Sequence, residues 1–251
     1  MGAESHSLRC SFVLFPYHEG MEQPYSPVQS RPIAISQSTE AQVYGLFAVA
    51  MALTVLGVFI GMQYAPVLLA TGLHFFFLFA ELGLIFTAGL WMNKSPLNYF
   101  LFGLFPLISG FTITPYILSV LTGYANGGSI LLNALSATGF MAASAAVFAK
   151  TTKWNLGVMG KALFLALIGL ILVGLLQVFI PSLQTSQFEL MLSGVGVVIF
   201  ALFMAYDLQR IEHLGKMGAH PMMLALSLYL DIFNLFLYIL RFMIALSGDR
   251  R

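Results

Sequence analysis

ALSLYLDIFNLFLYILR, residues 225–241, is an apolar run with a single carboxylate, Asp231, set inside it. On a helix of 3.6 residues per turn, Ser227, Asp231, Asn234, Tyr238 and Arg241 recur at steps of 4, 3, 4 and 3 and form one polar stripe. Lipid cannot satisfy such a stripe, so it faces protein or trapped water. A carboxylate at this depth costs ~2.5–3.5 kcal/mol on insertion scales, and intramembrane acids therefore read first as functional. The segment predicts a membrane-spanning helix that turns its polar side toward other helices.

The rest of the chain agrees. Of 251 residues, 59% are hydrophobic and 8% charged, with a mean hydropathy of +0.89. Soluble domains carry about 25% charged residues, so this is an integral, multi-pass membrane protein in the lipid bilayer. Apolar stretches near 43–62, 67–92, 97–121, 129–149, 158–180, 188–211 and 221–246 each reach the ~20 residues a crossing helix needs. They do not alternate polar and apolar residues, which argues against a barrel. The expectation is an all-α membrane protein, a bundle of seven transmembrane helices over residues 43–251. Residues 1–42, rich in Pro, Ser and Gln, read as a disordered polar tail without the apolar core of a signal peptide.

Basic residues sort by connection. Lys94, then Lys150 and Lys153, then Arg210 and Lys216 fall in the second, fourth and sixth, and none falls in the first, third or fifth. Together with Arg9 and Arg31, this bias places the N-terminus in the cytoplasm. Arg250 and Arg251 at the far end run against seven crossings; a re-entrant last segment would remove that conflict. So few cations leave no patch for nucleic acid. The single cysteine, Cys10, excludes an internal disulfide, and five scattered histidines lack metal-ligand spacing.

A second intramembrane acid, Asp207, lies in FMAYDLQRI near the end of the sixth span. If that helix runs to about residue 214 and the next restarts at Pro221, Asp207 lies roughly 10 Å and Asp231 roughly 15 Å below the turn, at ~1.5 Å per residue. On antiparallel neighbours the two carboxyls meet. Two such groups do not ionise independently and share a proton. The pair could respond to pH or hold a hard cation such as calcium through its oxygens. The plainer alternative is that Asp207 pairs with Arg210 at the membrane edge while Asp231 hydrogen-bonds a neighbour as interhelical glue. Glu81, mid-span in FLFAELGLIF with His74 seven residues before it, is a buried acid that could line a pathway. Ser109, Thr112, Tyr116 and Ser119 make a polar edge on the third span, best read as helix packing.

At these residues the sequence resembles the transmembrane Bax inhibitor motif family, in its bacterial branch. The resemblance rests on AQVYG (41–45), TTKWNLGVMGK (151–161), AYDLQRI (205–211) and ALSLYLDIFNLFLYILR (225–241), and covers roughly residues 40–251. It implies a central seventh helix surrounded by six others and, for a bacterial protein, residence in the inner (plasma) membrane. It also implies a pH-sensitive calcium leak governed by paired aspartates, here Asp207 and Asp231. The expected ligands are protons and calcium, the latter as permeant or bound ion, and no cofactor is expected. Some bacterial members carry an arginine after the Trp-Met that closes the second span. Here WMNK puts Asn93 in that place and Lys94 next, which leaves open what latches the pair; Asn234 and Arg241 on the last span are further pathway or latch candidates.

Two other functions are compatible with paired aspartates or with the family resemblance. An intramembrane aspartyl protease also needs two aspartates on adjacent spans, but its Gly-x-Gly-Asp motif is replaced by Leu228-Tyr229-Leu230-Asp231 and Pro221 is followed by Met222; the expectation is no enzyme. A membrane stress or cell-death regulator that docks on a membrane protease or another membrane protein is the alternative role.

Overall fold

A computed structural model describes residues 38–248, with the side chain of Val178 left aside. The expected tail, Cys10 and the terminal arginines lie outside the described residues, apart from the tail's last few positions, which are helical. The described chain is helical throughout, with no strand. Helix α1 spans Thr39–Gln63, starting four residues before the expected boundary under a Ser38 cap whose hydroxyl accepts from the Ala41 N–H. Then come α2 (Ala65–Thr71), α3 (Leu73–Phe86), α4 (Ala88–Trp91), α5 (Leu97–Gly123), α6 (Gly127–Thr151), α7 (Gly160–Phe179), α8 (Ser186–Lys216) and α9 (Pro221–Ser247). Short 3-10 turns at Leu156–Met159 and Pro181–Leu183 flank α7. Six of these segments are long and apolar enough to cross a membrane, and a seventh follows if α2 and α3 count as one span.

The stretch 67–92 departs from expectation. It is not one straight helix: α2 and α3 meet at 86°, and a further break falls at Thr87. The hinge is Gly72, whose φ of +65° is open to glycine and strained for residues with a Cβ. Local groups hold the corner. The Thr71 hydroxyl donates to the Val67 carbonyl (2.6 Å) and accepts from the Leu73 N–H (3.3 Å). The His74 ring lies 3.1 Å from the Leu68 carbonyl, which fixes that side chain at the bend.

Two helix seams organise the bundle. Along the first, α1 packs on α5 through small residues. Gly57 and Gly61 present a Gly-x-x-x-Gly face to α5; a Cβ on Gly57 would overlap the Leu107 carbonyl, and one on Gly110 of α5 would overlap the Thr54 carbonyl. Backbones approach this closely in membranes because dispersion and packing, not water exclusion, drive association. Along the second seam α8 packs on α9, with the Tyr238 ring lying where a Cβ on Gly196 would sit. Helix α9 also packs on α1 and α6, while α7 rests chiefly on α8 and α3 on α5. Half of the most apolar stretch of α9 is buried, the largest share of any candidate span.

Candidate functional site

The α8–α9 seam sets the two aspartates at one level. Helix α8 continues to Lys216 and α9 starts at Pro221, close to the boundaries that put the acids at matching depth. Asp207 is 3% exposed and Asp231 7%. The Asp207 carboxyl faces Ser227 and Asp231 on α9 and Arg210 one turn along its own helix. Arg210 Nη1 lies 3.6 Å from Asp207 Oδ1, with the arginine partly exposed and the aspartate buried. Asp231 faces Asp207, and its Oδ2 has no hydrogen-bond partner. Buried polar atoms are almost always paired, so an orphaned carboxylate oxygen against a second carboxylate calls for a proton, a water or a cation.

The predicted polar stripe of α9 follows the α8 seam. Ser227 and Asp231 meet Asp207; Tyr238 stacks on Phe200 of α8 with ring centres 5.4 Å apart. Asn234 turns back on its own helix, its Nδ2 donating to the Leu230 carbonyl at 2.8 Å. Arg241 is exposed, 5.8 Å from the Tyr238 ring centre, and reaches Tyr116 of α5. It therefore lies about three turns from Asp231, at the opposite end of the seam from Arg210.

The latch candidates on the second span do not reach the pair. Asn93 and Lys94 are both exposed in the turn before α5, and the cation against Asp207 is Arg210. A side chain one helical turn away needs no tertiary reach, whereas Lys94 would have to cross from another helix. The plainer alternative thus holds for the Arg210 pairing, while the Asp207 side chain, only 4% exposed, points into the bundle rather than out to solvent.

Glu81 belongs to a second buried polar cluster. It faces Ser109 and Thr112 of α5, yet its Oε1 and the Thr112 Oγ1 lack hydrogen-bond partners. Tyr229 of α9, fully buried, faces Ser109 and Glu81 and shares a 2.8 Å hydrogen bond with Thr54 Oγ1 of α1. The polar edge of the third span therefore packs helices together, as its spacing suggests, but also lines the pocket of a buried acid. Tyr229 lies two residues before Asp231 and on another face of α9, so the last span touches both acidic sites.

Gln209 was assigned no role from sequence. Its Nε2 donates to the Ala149 and Trp154 carbonyls, both at 3.1 Å, and its Oε1 accepts from the Leu156 N–H at 3.0 Å. The connection between α6 and α7 is thereby tied to α8 beside Arg210. The available signal was the pairing of TTKWN with AYDLQ, but nothing in either motif states that they touch.

Among the described residues no group of three or more His, Cys, Asp or Glu side chains could hold a metal ion. Calcium takes 6–8 oxygens, and two carboxylates with Ser227 supply fewer.

A multi-pass helical bundle with an acid pair buried between its last two helices defines the class: a polytopic membrane protein carrying ionisable groups inside its helix bundle. Residues 36–248 match the model of the family described as inhibitor of apoptosis-promoting Bax1, and the chain belongs to that family. It is 37% identical over 201 residues to an uncharacterized protein of Campylobacter jejuni, covering 79% of this chain and 84% of the relative. It is 33% identical over 231 residues to the Golgi anti-apoptotic protein of vaccinia virus (86% and 89%). It is 28% identical over 243 residues to the inner membrane protein YbhL of Escherichia coli (91% and 98%).

Proposed function

We propose that this protein is a pH-sensitive calcium leak channel gated by protonation of the Asp207–Asp231 pair. The observation that carries the reading is the unpartnered Oδ2 of Asp231, buried against the carboxyl of Asp207 on the neighbouring helix. A shared proton ties α8 to α9; loss of that proton, or entry of calcium, replaces attraction by repulsion or coordination and shifts the packing between two states. Arg210 supplies the adjacent positive charge, and Glu81 in its own orphaned pocket is a second oxygen along the inner surface of the bundle. In this reading α9 is the central helix of seven spans, α2 and α3 together forming the bent second one, and the basic connections put the N-terminus in the cytoplasm. The membrane is the inner one in a bacterial cell, in keeping with the relative named as an inner membrane protein. No catalytic step is assigned to the pair.

The test is calcium flux into proteoliposomes over a range of pH, with wild type, Asp207→Asn and Asp231→Asn. Wild-type flux should vary with pH, and each substitution should flatten or displace that dependence. Flux with the same pH profile in all three proteins overturns the mechanism.

A second reading, a membrane regulator of stress or cell death that acts by docking on a membrane protease or other partner, is favoured by the vaccinia relative's name. It requires an exposed helix face rather than the carboxyls, so a double Asp→Asn variant with wild-type phenotype supports it.

A further inference from the structure

On the face of the bundle where α6, α7 and α8 end or begin, a cleft of about 580 Å³ opens between the α6–α7 connection and the last turns of α8. Lys150, Lys153, Arg210 and Lys216 line it with His213, against one carboxylate, Glu212, which Lys216 already engages at 3.0 Å. Among the described residues Lys150 and Lys153 have no carboxylate within 4.0 Å. A smaller recess beside it, about 300 Å³, carries Glu40 and Glu212 with Lys150, so the excess positive charge belongs to the larger cleft.

The cleft wall is held in shape. The three hydrogen bonds of Gln209 to Ala149, Trp154 and Leu156 pin the connection to α8, and the Asn155 side chain accepts from the Gly157 N–H at 2.9 Å. Trp154, which lines the cleft, stands 74% exposed. The connection joins two membrane-crossing helices, so the cleft lies at the boundary between lipid and water. Tryptophan is enriched at that boundary, and clusters of basic residues beside a crossing helix bind anionic headgroups.

We infer that this cleft binds the phosphate of an anionic lipid headgroup, with Lys150 and Lys153 as the principal charges and Trp154 beside the acyl–headgroup boundary. Arg210 faces both the cleft and Asp207, so it is left intact in the test. Native mass spectrometry of the full chain in detergent measures retained phosphatidylglycerol against phosphatidylcholine. Wild type should retain phosphatidylglycerol in preference. Lys150→Gln/Lys153→Gln should lose that preference by roughly 10- to 30-fold, at the strength of a juxtamembrane cation each. Lys161→Gln, exposed and outside the cleft, should keep it. The melting temperature of each variant verifies folding independently of lipid. Equal retention of both lipids by wild type, or equal loss in Lys161→Gln and the double variant, overturns the site. Release of phosphatidylglycerol by millimolar inorganic phosphate assigns the cleft to a soluble anion and also overturns it.

Discussion

Replacing Gly110 by alanine tests how closely the α1–α5 seam is packed. The added Cβ would overlap the Thr54 carbonyl and lie 2.8 Å from the Val58 nitrogen and 2.9 Å from the Thr54 carbonyl carbon. All three are backbone atoms of α1, so no side-chain rotation relieves the contact. The helices must part, which weakens the adjoining 3.5 Å contact of the Thr114 hydroxyl with the Val58 carbonyl. Overpacking of this kind costs typically ~1–3 kcal/mol, while alanine regains about 0.5–1 kcal/mol over glycine inside a helix. The balance is a loss of up to about 2.5 kcal/mol, or a melting temperature lower by up to roughly 10 °C for a chain of this size. Gly139→Ala in α6 is the matched control, because its Cβ would have open space; it should melt at or slightly above wild type. Both are measured in one detergent by circular dichroism. Gly110→Ala melting as high as Gly139→Ala would refute the close-packed seam.

Gln209→Ala removes three hydrogen bonds that span 53–60 residues; amide exchange of Leu156 should accelerate at least tenfold, at about 0.5–1.5 kcal/mol per bond, while α5 exchanges as before. Tyr229→Phe deletes the Thr54–Tyr229 bond, but Thr54 keeps its 3.0 Å bond to the Ala50 carbonyl. Stability should fall by only about 1 kcal/mol, and a loss several times larger would mean that Tyr229 holds Glu81 as well.

The helices were legible in the sequence because each crossing segment is continuous and apolar, a signal that needs no tertiary knowledge. The convergence of Asp207 and Asp231 was legible too: a constant rise per residue and a short turn fix the depth of both acids. The corner at Gly72 was not, since a glycine inside TGLHFFF reads as one more small apolar residue until its φ is known. The counter-charge was legible as one of two alternatives: Arg210, three residues from Asp207, is the cation in place, whereas Asn93 and Lys94, singled out by motif, are not. The partners of the neighbouring Gln209 were not legible, because they are set by how α8 meets a distant connection. The Gly57–Gly61 spacing is a close-packing signal that the sequence carries in plain form.

The central claim is that protons and calcium use the same pair of carboxyls. It is tested by the pH midpoint of calcium flux in proteoliposomes, measured at low and at tenfold higher calcium. Competition predicts that more calcium moves the midpoint to lower pH, because more protons are then needed to reclaim the oxygens of Asp207 and Asp231. A midpoint that stays fixed as calcium rises contradicts a shared site.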